Sequence, residues 1–316
     1  MRFRHSAVTL LIPLLLGSAF SAQAAVDDAS CRLVRMSDPG WTDINATNAL
    51  AGVLLEGLGY RQQVQNLSVA LGFQGLKSSQ LDVFLGNWMP AQQPVIEKFT
   101  RDGSVEVLTA NLASAKFTLA VPDYVAQAGV KDFADLAKYG DRFQHKIYGI
   151  APGAPANQNI KRMIDQKELG LDDWSLVESS ESGMLAQVER AVNKKEWIVF
   201  LGWEPHAMNT RHSLVYLGGG DEWFGPNYGS ATVNTVVRKG YAQACPNVAR
   251  LFSNLQFNVD LENKVIKRLL DDKQTPRDAA RAEISANPQQ LEQWLSNVTT
   301  LDGKPGLEAV RNSLSR

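Results

Sequence analysis

Three tryptophans lie where a ligand could meet them. Trp203 sits in Val199-Phe200-Leu201-Gly202-Trp203-Glu204-Pro205-His206, and Trp88 in Val83-Phe84-Leu85-Gly86-Asn87-Trp88-Met89-Pro90. Both segments open on Val-Phe-Leu-Gly, present an indole and close on a proline. A short β-branched and aromatic run bounded by Gly and Pro reads as a buried strand ending in a turn. Proline helps end each strand because it has no ladder N–H. Each tryptophan is therefore expected just past a strand end, where open α/β sheets bind ligands. Trp41, in Asp38-Pro39-Gly40-Trp41-Thr42-Asp43, follows the apolar run Leu33-Val34-Arg35-Met36 and makes a third. A lone tryptophan is more often packing than a contact, but three in this context suggest an aromatic box. Trp174, Trp197, Trp223 and Trp294 lack the context and are read as packing.

A ligand needing several aromatic faces is a flat ring, a sugar or a quaternary ammonium. A trimethylammonium group has no N–H to offer a carboxylate, and its diffuse charge is drawn to π faces. A sugar site would more usually crowd Asp, Asn, Arg and Gln around the rings, and these loops are comparatively poor in them. Asp43 either caps the helix that follows or accepts a hydroxyl hydrogen bond from a ligand tail. Asn157 likewise either caps its helix or donates to a ligand. His206 lies near the proposed cleft, although histidine has many other uses. Catalytic motifs are missing: there is no Gly-x-Ser-x-Gly, His-Glu-x-x-His or Walker loop. No metal site, cofactor or enzyme activity is expected.

The elements that must carry these residues alternate. A strand at Arg32–Met36 leads to a helix at Asn45–Leu58, a strand at Tyr60–Val69, a short helix at Leu71–Ser79 and a strand at Leu81–Leu85. This is the rhythm of a mostly parallel, helix-flanked sheet. Strands are expected at Val105–Leu108 and Ala115–Val121, then a second α/β block with a helix from Asn157 and strands at Lys146–Ile150, Trp174–Glu178 and Trp197–Leu201. A strand at Ala231–Arg238 precedes a mostly helical end. Two lobes with a cleft between them follow: residues 25–114 with 232–316, and residues 115–231.

Arg2, Arg4 and His5, the apolar run Ala7–Leu16 and the small-residue site Ala22-Gln23-Ala24 read as a cleaved signal peptide, residues 1–24. Without Arg2 and Arg4 the chain keeps 30 basic and 33 acidic residues, a formal charge of −3. That balance argues against a nucleic-acid partner. In an exported chain, the two cysteines Cys31 and Cys245 are read as one disulfide.

Pro39-Gly40-Trp41-Thr42-Asp43, Phe84-Leu85-Gly86-Asn87-Trp88-Met89-Pro90, Phe200-Leu201-Gly202-Trp203-Glu204-Pro205-His206, the run Glu181–Val188 and Phe224-Gly225-Pro226-Asn227-Tyr228-Gly229 resemble periplasmic choline-binding proteins of ABC importers, in the glycine betaine/proline substrate-binding family. The resemblance spans nearly the whole mature chain. It implies a two-lobed Venus-flytrap fold of type II, a box carried by Trp41, Trp88 and Trp203, and a tail contact from Asp43. It implies a periplasmic receptor, expected to be monomeric, that hands a quaternary ammonium ligand to an ABC transporter permease. The family's paired cysteines resemble Cys31 and Cys245. Two positions depart from the pattern: Phe117 replaces a box tyrosine, and Ala154 replaces an asparagine that Asn157 would have to supply. Choline is the favoured ligand, with carnitine, betaine and acetylcholine as alternatives. A carbohydrate receptor and an exported enzyme acting on a small amine are the rivals from other classes.

Overall fold

The computed structural model describes residues 27–167 and 169–315, so the expected signal peptide lies outside the described residues. The strands are β1 Leu33–Asp38, β2 Arg61–Asn66, β3 Val83–Met89, β4 Val105–Pro122, β5 Lys146–Tyr148, β6 Ser175–Val177, β7 Phe200–Glu204, β8 Leu214–Tyr216 and β9 Ser230–Arg238. They form one mixed sheet in the order β2-β1-β3-β9-β4-β7-β5-β6, with β8 also on β4. Two parallel blocks, β2-β1-β3 and β7-β5-β6, are joined through β4 and β9, which run antiparallel to their neighbours.

The two strands expected at Val105–Leu108 and Ala115–Val121 are a single strand, β4, of 18 residues. The polar middle of that stretch does not end the strand. It bulges, with register shifts against β9 between Val107 and Ala115. The buried Asn111 ties the bulge down, its side-chain amide donating to the Leu85 carbonyl at 3.0 Å and to the Thr235 hydroxyl at 3.0 Å. A buried amide with both donations satisfied is inexpensive to keep inside.

The strand ends also differ from expectation. Trp88 and Trp203 lie within the last residues of β3 and β7, paired with Val233 and Phe117, and the ladders stop at the prolines that follow. The strand expected at Tyr60–Val69 is shorter, because Ser68 caps a new helix beginning at Val69.

Helix α1, Thr42–Gly57, buries Ala46, Leu50, Val53 and Leu54 on one side, as its spacing requires. It packs with the C-terminal helices in a core that includes Val34, Met36, Phe252, Ile266 and Trp294. A second core gathers Leu119, Phe133, Ile147, Met184, Val188 and Phe200. Cys31 and Cys245 form the expected disulfide, which staples the first core.

The glycines of the repeated Val-Phe-Leu-Gly run have a packing reason. A Cβ on Gly86 would come within 2.8 Å of Ile44 on α1, and one on Gly202 within 2.9 Å of Ala120 on β4.

Candidate functional site

A small cavity opens beside the second core, where the start of α1 meets β3, β4 and β7. The start of α1 supplies Trp41 and Asp43, β3 supplies Trp88, β4 supplies Phe117 and β7 supplies Trp203. Phe117 and Trp203 are direct partners across the β4–β7 ladder, which places their side chains on one face of the sheet. Phe117 in turn lies 5.9 Å from Trp88, ring centre to ring centre, at 48°. Four of the six residues that the sequence proposes for binding are therefore aromatic rings on one cavity, and the fifth, Asp43, is the carboxylate among them.

Asp43 is 1% exposed and occupies the first turn of α1, where the helix dipole favours negative charge. It is not the cap; Trp41 holds that position. The Trp88 indole N–H donates to Asp43 Oδ2 at 3.0 Å. Burial pushes the Asp43 carboxyl up to about 8, the charge of Glu181 adds to this, and the Trp88 hydrogen bond opposes it. Burial likewise raises Glu262, with the Asp43 charge adding to it.

Asn157 does not join the cavity wall. Its side chain is fully buried, accepts from the Ile150 N–H at 3.0 Å, and donates to the Ile150 and Ala151 carbonyls and to Glu178 Oε1 at 2.8, 3.1 and 2.9 Å. These partners leave it no free donor, so it pins the loop before the helix Pro155–Gln166. Nor is it that helix's cap, since Ala154 occupies the position.

The sequence reading missed Gln92, Ala91, Ile150 and Pro155, all of which line the cavity. Gln92 is the polar one among them. Its amide donates to the Gly86 carbonyl at 2.7 Å and its oxygen accepts from Asn87 at 3.2 Å, so it braces the turn after β3. The only local signal was its position just beyond Pro90. The remaining three are apolar and look like ordinary core in the sequence.

His206 is fully buried with its ring 4.9 Å from that of Trp203, at 60°. The other tryptophans pack as expected. Trp223 stacks on Phe133, Trp174 and Trp197 contact Phe143, and Trp294 meets Phe257.

A cavity walled by four aromatic rings from α1, β3, β4 and β7, with one carboxylate among them, is suited to a small solute. The chain belongs to the substrate-binding domain family of ABC-type glycine betaine transport systems, whose family model matches residues 32–285. The fold is the two-lobed, type II periplasmic binding protein fold. Similar in structure is an ABC-transporter choline-binding protein in complex with choline, 50% identical, with a TM-score of 0.89 over 91% of this chain and 100% of that one. Lactococcal OpuAC, closed on glycine betaine, is 25% identical, with a TM-score of 0.76 over 83% of this chain and 99% of that one. The glycine betaine/carnitine transport binding protein GbuC of Listeria monocytogenes is 27% identical over 62% of this chain and 63% of its own length. The family and these neighbours are substrate-binding transport proteins, not enzymes.

Proposed function

We propose that the protein is an exported receptor for a quaternary ammonium compound, with choline as its main ligand, and that it delivers this ligand to an ABC transporter permease. The observation that carries the reading is the convergence of Trp41, Trp88, Phe117 and Trp203 on one cavity with Asp43 among them. Each ring attracts a methylated cation by about 0.5–2 kcal/mol, depending on how dry the site is. Four rings then supply roughly 2–8 kcal/mol, against the roughly 8 that a micromolar site requires. Methyl burial and a hydroxyl bond to Asp43 add the rest.

The lining also discriminates. It contains no Lys or Arg, so the carboxylate of betaine or carnitine would face Asp43 without a counter-charge. A sugar would fare no better, because Gln92 is already partnered, the Asp43 carboxyl can meet one hydroxyl beside its bond from Trp88, and the other hydroxyls would go unmatched.

The reading places residues 25–114 and 232–316 in lobe one and 115–231 in lobe two, acting as a monomer in the periplasm after removal of residues 1–24. Closure of the lobes around the cation brings both sets of rings to it, so ligand favours the closed form. Calorimetric titration of choline, acetylcholine, carnitine, betaine and a panel of sugars into one sample tests the proposal. Choline is expected to bind most tightly, and tighter binding of betaine or of any sugar overturns it.

A further inference from the structure

Helix α1 begins without a cap of its own. Its N-cap residue is Trp41, whose side chain makes no capping hydrogen bond. The first N–H groups of a helix have no partner inside it and need one from elsewhere. The partner here comes from 139 residues away: Glu181 Oε2 accepts the Thr42 N–H at 3.0 Å, and Glu181 Oε1 accepts the Thr42 hydroxyl. Glu181 is 7% exposed and opens the helix Glu181–Lys194 on the other side of the cavity.

The same carboxylate reaches a second ring-bearing element. His206 Nδ1 accepts the Met208 N–H at 3.1 Å, so the ring proton sits on Nε2, and that N–H meets Glu181 Oε1 at 3.1 Å. The orientation of the imidazole is thus fixed from both ends. The imidazole meets the Trp203 ring in a T-shaped contact. One buried acidic group therefore receives three donors, two from the residue between Trp41 and Asp43 and one from the residue packed on Trp203.

We propose that Glu181 is a positioning residue for the aromatic box: it caps α1 from the opposite lobe and, through His206, sets the edge of Trp203, so that closure and ring geometry are linked. The proposal rests on the reading that the box takes a methylated ammonium. An open arrangement would return the Thr42 N–H to water, so the cap is a contact made only on closing, and its removal acts mainly on ligand release.

The test uses Glu181→Ala, Glu181→Gln and Thr42→Val, each titrated with choline beside the wild type and followed by stopped-flow tryptophan fluorescence. Loss of a buried charged acceptor with three donors is expected to weaken choline binding about 30-fold or more in Glu181→Ala, through faster release. Glu181→Gln keeps one acceptor oxygen and is expected to lose about fivefold, and Thr42→Val, which keeps the backbone N–H, to lose about threefold. Should Glu181→Ala fail to fold, the other two variants decide. Affinities equal to wild type across the set, with only thermal stability lowered, overturn the proposal. A wild type that takes no choline overturns the ligand reading instead. The cap is then read with acetylcholine, carnitine or betaine bound, where amide exchange at Thr42 must quicken in Glu181→Gln, and unchanged exchange overturns it.

Discussion

The Val-Phe-Leu-Gly strand occurs twice, and its two copies hold their tryptophans in different ways. On β3, the Trp88 indole N–H is bonded to Asp43, a group that itself faces the cavity. On β7, Trp203 is steadied by the His206 ring, which is fully buried and does not line the cavity. A similar sequence thus gives β3 a ring bonded to a titratable wall and β7 a ring packed on a buried histidine. The two cores also differ in how they are tied. The first core carries the disulfide, whose cysteines are 214 residues apart, whereas the second core contains no cysteine.

That contrast is broken most forcefully at the disulfide. Closing so long a loop restricts the unfolded chain by up to about 5 kcal/mol. Replacing Cys31 and Cys245 by Ser is therefore expected to lower unfolding free energy by about 3–5 kcal/mol in denaturant titration. Choline affinity should stay within about twofold, since additivity holds for distant sites. A large affinity loss would mean that the staple reaches the box.

Truncating either tryptophan comes next. Trp88→Ala and Trp203→Ala should each weaken choline binding by about 30–100-fold in calorimetry, through the lost ring and the cavity left behind. The sharper comparison is Trp→Phe, which keeps a π face and removes the N–H. Trp88→Phe leaves Asp43 without its donor and is expected to cost about tenfold, while Trp203→Phe costs less. Equal losses would erase the difference between the two copies.

Acidity separates the lobes further. Asp43, with its carboxyl at about 8, keeps its proton where an unfolded aspartate, near 3.9, has lost it. The folded state therefore binds the extra proton, and ligand-free stability falls as pH rises from about 4 to about 8. A cation in the box favours the ionised carboxylate, so choline affinity is expected to rise through the upper part of that window, by up to about tenfold per pH unit, and to level off above about 8. The charged neighbours that bear on Asp43 are Glu181 and Glu262. Titrations at several pH values check the slope, and a slope that survives in Asp43→Asn assigns it to another group. The smallest effect is expected at Phe117→Tyr, which restores the ring the family pattern carries and should move choline affinity by no more than about threefold.

Much of this was legible in the chain. The α/β rhythm, the cysteine pair and the four wall residues Trp41, Asp43, Trp88 and Trp203 follow from residue types in order, because strands, turns and caps are short-range choices, whereas Phe117 was legible only through the family resemblance. Asn157 was misplaced because an asparagine beside a helix start is chemically suited to a cap, a ligand contact or a loop pin. Only its neighbours in space, Ile150, Ala151 and Glu178, select the last. The break expected between Leu108 and Ala115 failed for a similar reason. The pattern there is irregular, and the long-range partners of Asn111 hold the strand together.

The sequence by itself determined which side chains have the chemistry to hold a methylated cation and which strands deliver them, since local backbone preference and hydrophobic period fix both. Only the tertiary structure decided that Glu181 caps α1 from a distant helix, that the Trp88 N–H donates to Asp43, and that burial raises this carboxyl to about 8. Those outcomes depend on burial and on charges brought close by the fold, and neither distance nor desolvation is written in the order of residues.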